Sequence, residues 1–273
     1  MSAPSRAGGP PGLVPLLLAA LAVAGTSLLA APILSVLLLC PPAELARAVA
    51  DPAVLSALAV SFATATITTL LALALGVPLA YTLSRSSRPV RASVEALLAV
   101  PVLLPHTAAG VAILSLFGPW SPLRPLASAL IDRPLGIVVA QAFVSAPLLV
   151  LSARAAFDDV PVELELAARS LGASRLRTFF YVSLPLARRG ILAGALLTWA
   201  RALSEFGAVV ILAYYPMTVP VLVYHRFLVG GLRASQPVVA FLVLLTAAIL
   251  ALLASAGISP YAGRWRGDGL AGP

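Results

Sequence analysis

The chain has 273 residues, about 60% of them apolar and only 10% charged, with a mean hydropathy of +1.02. A soluble domain keeps about a quarter of its residues charged so that its surface stays wetted, which excludes an ordinary globular protein. All 18 basic residues are arginine. Without a lysine the chain can hold no Walker-type phosphate loop, no kinase strand lysine and no pyridoxal Schiff base.

The lone Cys40 can form neither an internal disulfide nor a multi-thiolate metal site, and His106 and His225 stand apart at no zinc spacing. No catalytic, cofactor or metal site is therefore expected in this chain. An isoelectric point near 10.7 would suit nucleic acid if the arginines were gathered on one soluble face. They lie instead between apolar runs, as in a membrane protein oriented by its charge, and no nucleic-acid partner is expected.

Crossing a bilayer core of about 30 Å at 1.5 Å per residue takes about 20 apolar residues. Six such runs occur, at 14–39, 54–83, 94–117, 136–156, 190–213 and 238–258. The first is longer than the apolar part of a secretory signal and only Arg6 precedes it, so it reads as a retained helix. The Pro-, Gly-, Ser- and Ala-rich residues 1–12 read as a disordered tail, 13–258 as the transmembrane domain and 259–273 as a second tail. Pro78, Pro101, Pro105 and Pro147 fall inside apolar runs, where neighbouring helices must satisfy the freed carbonyls. The fold class expected is all-α, an integral membrane protein of six transmembrane helices. With the N-terminus inside, the inner segments carry twelve arginines and the outer ones five, so both termini are expected in the cytoplasm of a multi-pass plasma-membrane protein.

Residues 157–189, between the fourth and fifth runs, change character: four acids and five arginines stand among apolar residues at helical spacing. Asp159 is placed to cap a short helix whose first turn tolerates Pro161 and favours Glu163 and Glu165 at the positive end of the dipole. Gly172 is placed to end it in a left-handed conformation, and Ser174 to cap a further turn. Ala167 and Ala168 give a shallow face, and Leu171, Leu176, Phe179 and Phe180 an apolar side.

The spacing Ala167-Ala168, three residues, Gly172, nine residues, Val182, one residue, Leu184-Pro185 resembles the coupling-loop motif of type I ABC importer permeases. One departure stands out: the motif's Glu before the two alanines is Leu166 here, with Glu165 one place earlier. The resemblance implies a cytoplasmic coupling helix that docks on a separate ATP-binding subunit, through Glu163, Glu165, Ala167, Ala168, Gly172, Leu184 and Pro185. ATP and magnesium would then sit on that partner, and closure of its dimer would tilt the spans between inward- and outward-facing states. It further implies a homodimer of permease chains with two ATP-binding subunits and an extracytoplasmic binding protein. From the residues alone, the same arginines would also serve a helix lying on anionic lipid.

Arg201 and Glu205 lie near mid-depth of the fifth run, where an unpaired charge costs at least about 2.5 to 3.5 kcal/mol. Four residues apart, they are expected on one helix face. They read equally as a neutral pair bracing the bundle or as a pair lining the substrate path. His106, after Pro105, is the other polar group at depth, as a satisfied buried histidine or as part of that path. Ser204, Thr218 and Arg226 are possible donors to an anion.

The stretch 201–227, with Arg201, Ser204 and Glu205-Phe206-Gly207 followed by Tyr214-Tyr215-Pro216-Met217-Thr218, is similar to the molybdate/tungstate permeases among oxyanion importers. Pro105-His106-Thr107 with Gly110 has the same likeness. The likeness implies import of molybdate or tungstate, with a sulfate or thiosulfate permease as the alternative in the same class. An ion-coupled secondary transporter, using Arg201, Glu205 and His106 as a relay, is the alternative in another class. Such carriers show inverted repeats and discontinuous helices, which the sequence does not display.

Overall fold

The computed structural model describes residues 13–255. The predicted tails, 1–12 and 259–273, and the end of the sixth predicted span lie outside the described residues. Regular structure among the described residues is entirely helical and divides into two compact units, Pro52–His225 and a second formed by residues before and after it.

The larger unit is built on α3 (Pro52–Ser84), α7 (Pro134–Asp158) and α10 (Leu184–Leu203), which pack against one another. Small residues let their backbones approach. A Cβ on Gly194 would come within 2.8 Å of Ser152 Cβ, and one on Gly190 would overlap Ala156. The buried seams also carry polar side chains: Thr68 Oγ1 donates to Gln141 Oε1 at 3.1 Å and Thr198 Oγ1 to the Ser145 carbonyl at 3.2 Å. These hold helices together without a charge in hydrocarbon.

Two of the predicted continuous spans are broken. The third divides into α4 (Arg88–Leu103) and α5 (His106–Leu116), bent by 113°. Pro105 is the cause: it drives Leu104 out of the helical region, to φ −69 and ψ 136. The fifth runs earlier than expected, from α9 (Arg175–Thr178) through a π-helical turn (Phe179–Ser183) into α10. It then stops at Leu203, short of Ala213. After Ser204 to Phe206 a separate short helix, α11 (Gly207–Leu212), begins. Discontinuous helices, not legible in the hydropathy, are thus present.

The half-helices α5 and α11 pack together around a core of Ala109, Ile113, Ala208, Val209 and Leu212. Glycine makes this approach possible from both sides. A Cβ on Gly110 would lie 2.8 Å from Ile211 Cβ, and one on Gly207 2.6 Å from His106 Cβ. At the opposite end of the unit, a second core of Val77, Leu83, Ala153, Phe157, Val160 and Ile191 seals α3, α7 and α10.

The smaller unit contains α1 (Leu13–Leu38), α2 (Pro42–Ala50) and most of α12 (Val219–Ser255). No residue of α1 is buried, as suits a helix apolar all round whose solvent is lipid. Gln236 donates to the Val36 carbonyl, and Arg226 pairs with Asp51. Arg226, a possible anion donor in the sequence, thus has a carboxylate partner. The break in α12 falls at Gly231, with φ 64 and ψ −156, a conformation that glycine adopts without strain. The expected sixth span is thus the second part of a longer, interrupted helix.

Candidate functional site

Two clusters of the predicted residues carry chemistry. The first is the connection from α7 to α10, which holds α8 (Val162–Ser170). Pro161 stands at its N-cap with no side-chain cap bond, so Asp159 does not cap α8 as expected; it closes the end of α7 instead. Gly172 has φ +90, and its N–H donates to the Arg169 carbonyl while that of Ala173 donates to Ala168, a left-handed helix end as the sequence indicated. Ser174 Oγ accepts from the Arg177 N–H at 3.3 Å, capping α9.

Glu165 turns inward from α8 and accepts four hydrogen bonds. Its side chain is 9% exposed. Oε1 accepts from Arg85 Nη2 at 2.7 Å and from Ser183 Oγ at 2.8 Å, and Oε2 from Tyr81 OH at 3.1 Å and Arg85 Nε at 3.3 Å. Arg85 also donates to the carbonyls of Phe157 and Val160, closing the end of α7. Burial pushes the Glu165 carboxyl up, but the hydrogen bonds from Arg85 and Ser183 and the Arg85 charge outweigh it and hold the group below its ordinary value. The hydrogen bond to Glu165 correspondingly raises Arg85 above its ordinary value, against the opposing effect of burial.

With Glu165 turned in, the exposed face of α8 is shallow and mixed, apolar side chains standing beside Glu163, Arg169 and Ser170. Leu166, the position where the motif has its Glu, is 54% exposed, and Val162, Leu164, Ala167 and Glu163 are exposed beside it. Leu171 is 90% exposed, and Leu176, Phe180 and Tyr181 continue the patch. Pro185 is exposed and Leu184 half-buried against the α3–α7 core. Arg91, Arg154 and Asp158 form a neighbouring ion network. Arg91 donates to the last carbonyls of α3, at Leu83 and Ser84, while Arg154 bonds Asp158 at 2.9 Å.

The second cluster surrounds the break between α10 and α11. Arg201 and Glu205 meet at 2.8 Å, though not as neighbours on one helix face, because the helix ends between them. Glu205 is 1% exposed; its Oε1 accepts from the Ala208 N–H at 2.9 Å and so caps α11. Oε2 lies near the Arg201 guanidinium without an aligned hydrogen bond. The same Arg201 Nη2 is 2.6 Å from His106 Nε2, whose ring nitrogen must accept because a guanidinium only donates.

These groups line an open cleft of about 540 Å³, together with Thr107, Ser204, Phe206 and Gly207. The first turn of α5 faces it beside Arg201, while that of α11 is taken by Glu205. Ser204 Oγ donates to the Arg201 carbonyl. Thr218 is not part of the cleft: it is buried beside Val219, whose N–H donates to Ser61 Oγ at 2.8 Å. Among the described residues no cluster of three potential metal ligands occurs.

The sequence reading missed Arg85, Tyr81 and Ser183, which have no motif of their own, and Asp132. Asp132 holds the segment after α11 by accepting from the N–H groups of Tyr214 and Tyr215. Its φ of 52 is a conformation that Asp tolerates better than most side chains. An acid in a turn far from its partner in sequence gives no local signal.

Comparison with known proteins places this geometry. The profile of the family described as binding-protein-dependent transport system inner membrane component matches residues 72–259. The molybdate/tungstate transport system permease protein WtpB of Thermococcus kodakarensis is 44% identical over 209 residues, 77% of this chain and 81% of that one. A Haloferax volcanii protein named "Probable molybdenum ABC transporter permease protein" is 46% identical over 221 residues, 81% of this chain and 82% of its own. Among solved structures, a bacterial ABC transporter involved in import of the acidic polysaccharide alginate aligns with a TM-score of 0.69. At 14% identity, over 90% of this chain and 94% of that one, it shares the fold. The match of family profile, identity and fold over most of the length shows that this chain belongs to the inner-membrane components of binding-protein-dependent transport systems.

Proposed function

We propose that the chain is the membrane-spanning subunit of an ATP-driven ABC importer for molybdate and tungstate. It works as a homodimer with two ATP-binding subunits and an extracytoplasmic oxyanion-binding protein, its termini and α8 on the cytoplasmic side. ATP and magnesium belong to the partner subunit. The observation that carries this reading is the hook between α7 and α10. Glu165 is withdrawn into the permease, and Val162, Leu164, Leu166 and Leu171 are left exposed beside Glu163 and Arg169, an apolar surface with a polar rim fit for insertion into a groove on another protein. The names of the WtpB relatives support the choice of cargo.

The mechanism follows from the two clusters. A partner that closes on nucleotide displaces α8, and the displacement reaches α3, α7 and α10 through their shared core. At mid-span a tetrahedral dianion needs donors and a loose hold. The cleft offers Arg201, His106 and the first turn of α5, with Glu205 opposing the anion and limiting its residence. The break before α5, which would also suit a secondary transporter, here supplies that helix start.

The test is reconstitution. The chain is purified with the ATP-binding subunit that accompanies it and placed in vesicles, and uptake of tungstate is followed with its binding protein outside and ATP inside. Uptake that requires ATP and is unaffected by excess sulfate is expected. Sulfate-dependent uptake indifferent to tungstate would move the cargo to the sulfate class, and ATP-independent uptake abolished by an uncoupler would replace the mechanism.

A further inference from the structure

We propose that the Glu165–Arg85 pair is a strut that ties the docking helix α8 to the end of α3, making α3 the rod through which nucleotide-driven movement reaches the far side of the membrane. Both are positioning residues. The inference rests on the reading of α8 as the docking helix and goes beyond it by naming the route.

Three observations lead there. The first is the saturation of Glu165. Donors from α3 and the turn beyond it (Tyr81, Arg85) and from the π-helical turn (Ser183) meet on one carboxylate, and α7 joins only through its Phe157 carbonyl, which accepts from the same Arg85. A surface docking residue would keep its oxygens for the partner. Glu165 has spent both inside the chain.

The second is the continuity of α3. The helix runs unbroken through Pro78, and at Gly76 it lies so close to α7 that a Cβ would come within 3.1 Å of Val150 Cγ2. The last turn and a half of α3, which carries Tyr81, is therefore one piece with the turns that pack on α7.

The third is what α3 holds along the rest of its length. Thr68 bonds Gln141 at mid-length, and Ser61 Oγ accepts the Val219 N–H that opens α12. From Ser61 to Tyr81 is about 30 Å along a helix, the thickness of a hydrocarbon core. One continuous element thus has a hydrogen-bonded grip on the docking helix at one end and on the segment after α11 at the other.

A chain of contacts is not yet coupling; the two ends must respond to one equilibrium. In the reconstituted complex, spin labels on exposed Ser170 of α8 and Ser86 beyond α3 report whether the two move as one body when nucleotide binds. The wild-type distance is expected to stay constant between nucleotide-free and ATP-trapped complexes, and to change in Glu165→Gln. In parallel, tungstate imported per ATP hydrolysed is expected to fall at least about fivefold in Glu165→Gln. The milder Tyr81→Phe, which keeps the ion pair, is expected to fall by less. If Glu165→Gln does not assemble, Tyr81→Phe and Ser183→Ala decide, with the same ratio lowered in each.

Independent movement of the two labels in the wild type, or an unchanged ratio in the variants, overturns the strut and leaves the transporter reading standing. Failure of any ATP-binding subunit to accompany the wild-type chain overturns that reading instead, and the strut with it.

Discussion

Glu165 and Glu205 are both buried acids facing an arginine at under 3 Å, yet they are built for different ends. Around Glu165 both oxygens accept, from three residues, and Arg85 spends its remaining donors on carbonyls. Around Glu205 one oxygen caps a helix and the other has no aligned hydrogen bond, while Arg201 is shared with a histidine and borders open space. A saturated network has nothing to exchange and acts as a joint. An undersaturated one leaves its cation available, and in the proposed transport role an arriving anion would displace a contact instead of a complete shell.

The sharpest way to break this comparison is to remove Arg201. Arg201→Ala leaves Glu205 buried without its counter-charge, at a cost of about 3–5 kcal/mol, and adding Glu205→Gln restores part of it. Thermal unfolding of the detergent-purified complex reads both steps. Full recovery of tungstate uptake in the double variant would remove the pair from the path and make it a brace.

Next in size is Gly207→Val, whose Cβ would sit 2.6 Å from that of His106. Parting α5 from α11 should cost about 1–3 kcal/mol and lower uptake with assembly retained. At the other cluster, Gly172→Val forces a β-branched residue to φ +90, about 1–2 kcal/mol of strain at a place where nothing lies within 4 Å. Because no packing is lost there, melting should fall by no more than that strain, about 2–8 °C. ATP hydrolysis should instead cease to drive uptake; tightly coupled uptake in this variant would count against the docking role of the loop.

The smallest effect is on pH dependence. The folded state holds Glu165 below its ordinary value, so its contribution is complete above about pH 4.3 and is lost as pH falls through the lowered value. Wild type should therefore lose more stability on acidification to that range than Glu165→Gln, and equal acid limbs would mean that the clamp adds nothing.

Hydropathy made the membrane class and the helical fold legible, because lipid requires backbone groups to be satisfied within the helix. The hook was legible too: Gly172 and Ser174 act through their own backbone neighbourhood, and such signals survive in sequence. What was not legible depends on partners far along the chain. Glu165 reads as a dipole-favoured first-turn acid until Arg85, eighty residues earlier, is seen beside it. The break after Leu203 falls inside an apolar run, since Phe206 and Gly207 are as hydrophobic or neutral as a span requires. Only Ser204-Glu205 ahead of Gly207, cap chemistry in an apolar setting, hints at a new helix start. Pro105 could have been read as the end of α4, but prolines are tolerated in transmembrane helices often enough that the 113° bend does not follow from it.

The interlocking of α5 and α11 through Gly110 and Gly207 has a consequence for gating. Each glycine lets the opposing backbone fill the place of a side chain, so the two half-helices cannot slide past or separate from one another without opening a void in the protein interior. They must swing as a single leaf. The Arg201 guanidinium, 2.6 Å from His106 Nε2, sits where that leaf meets the end of α10, and in the transport role proposed above that contact is the edge along which the passage opens.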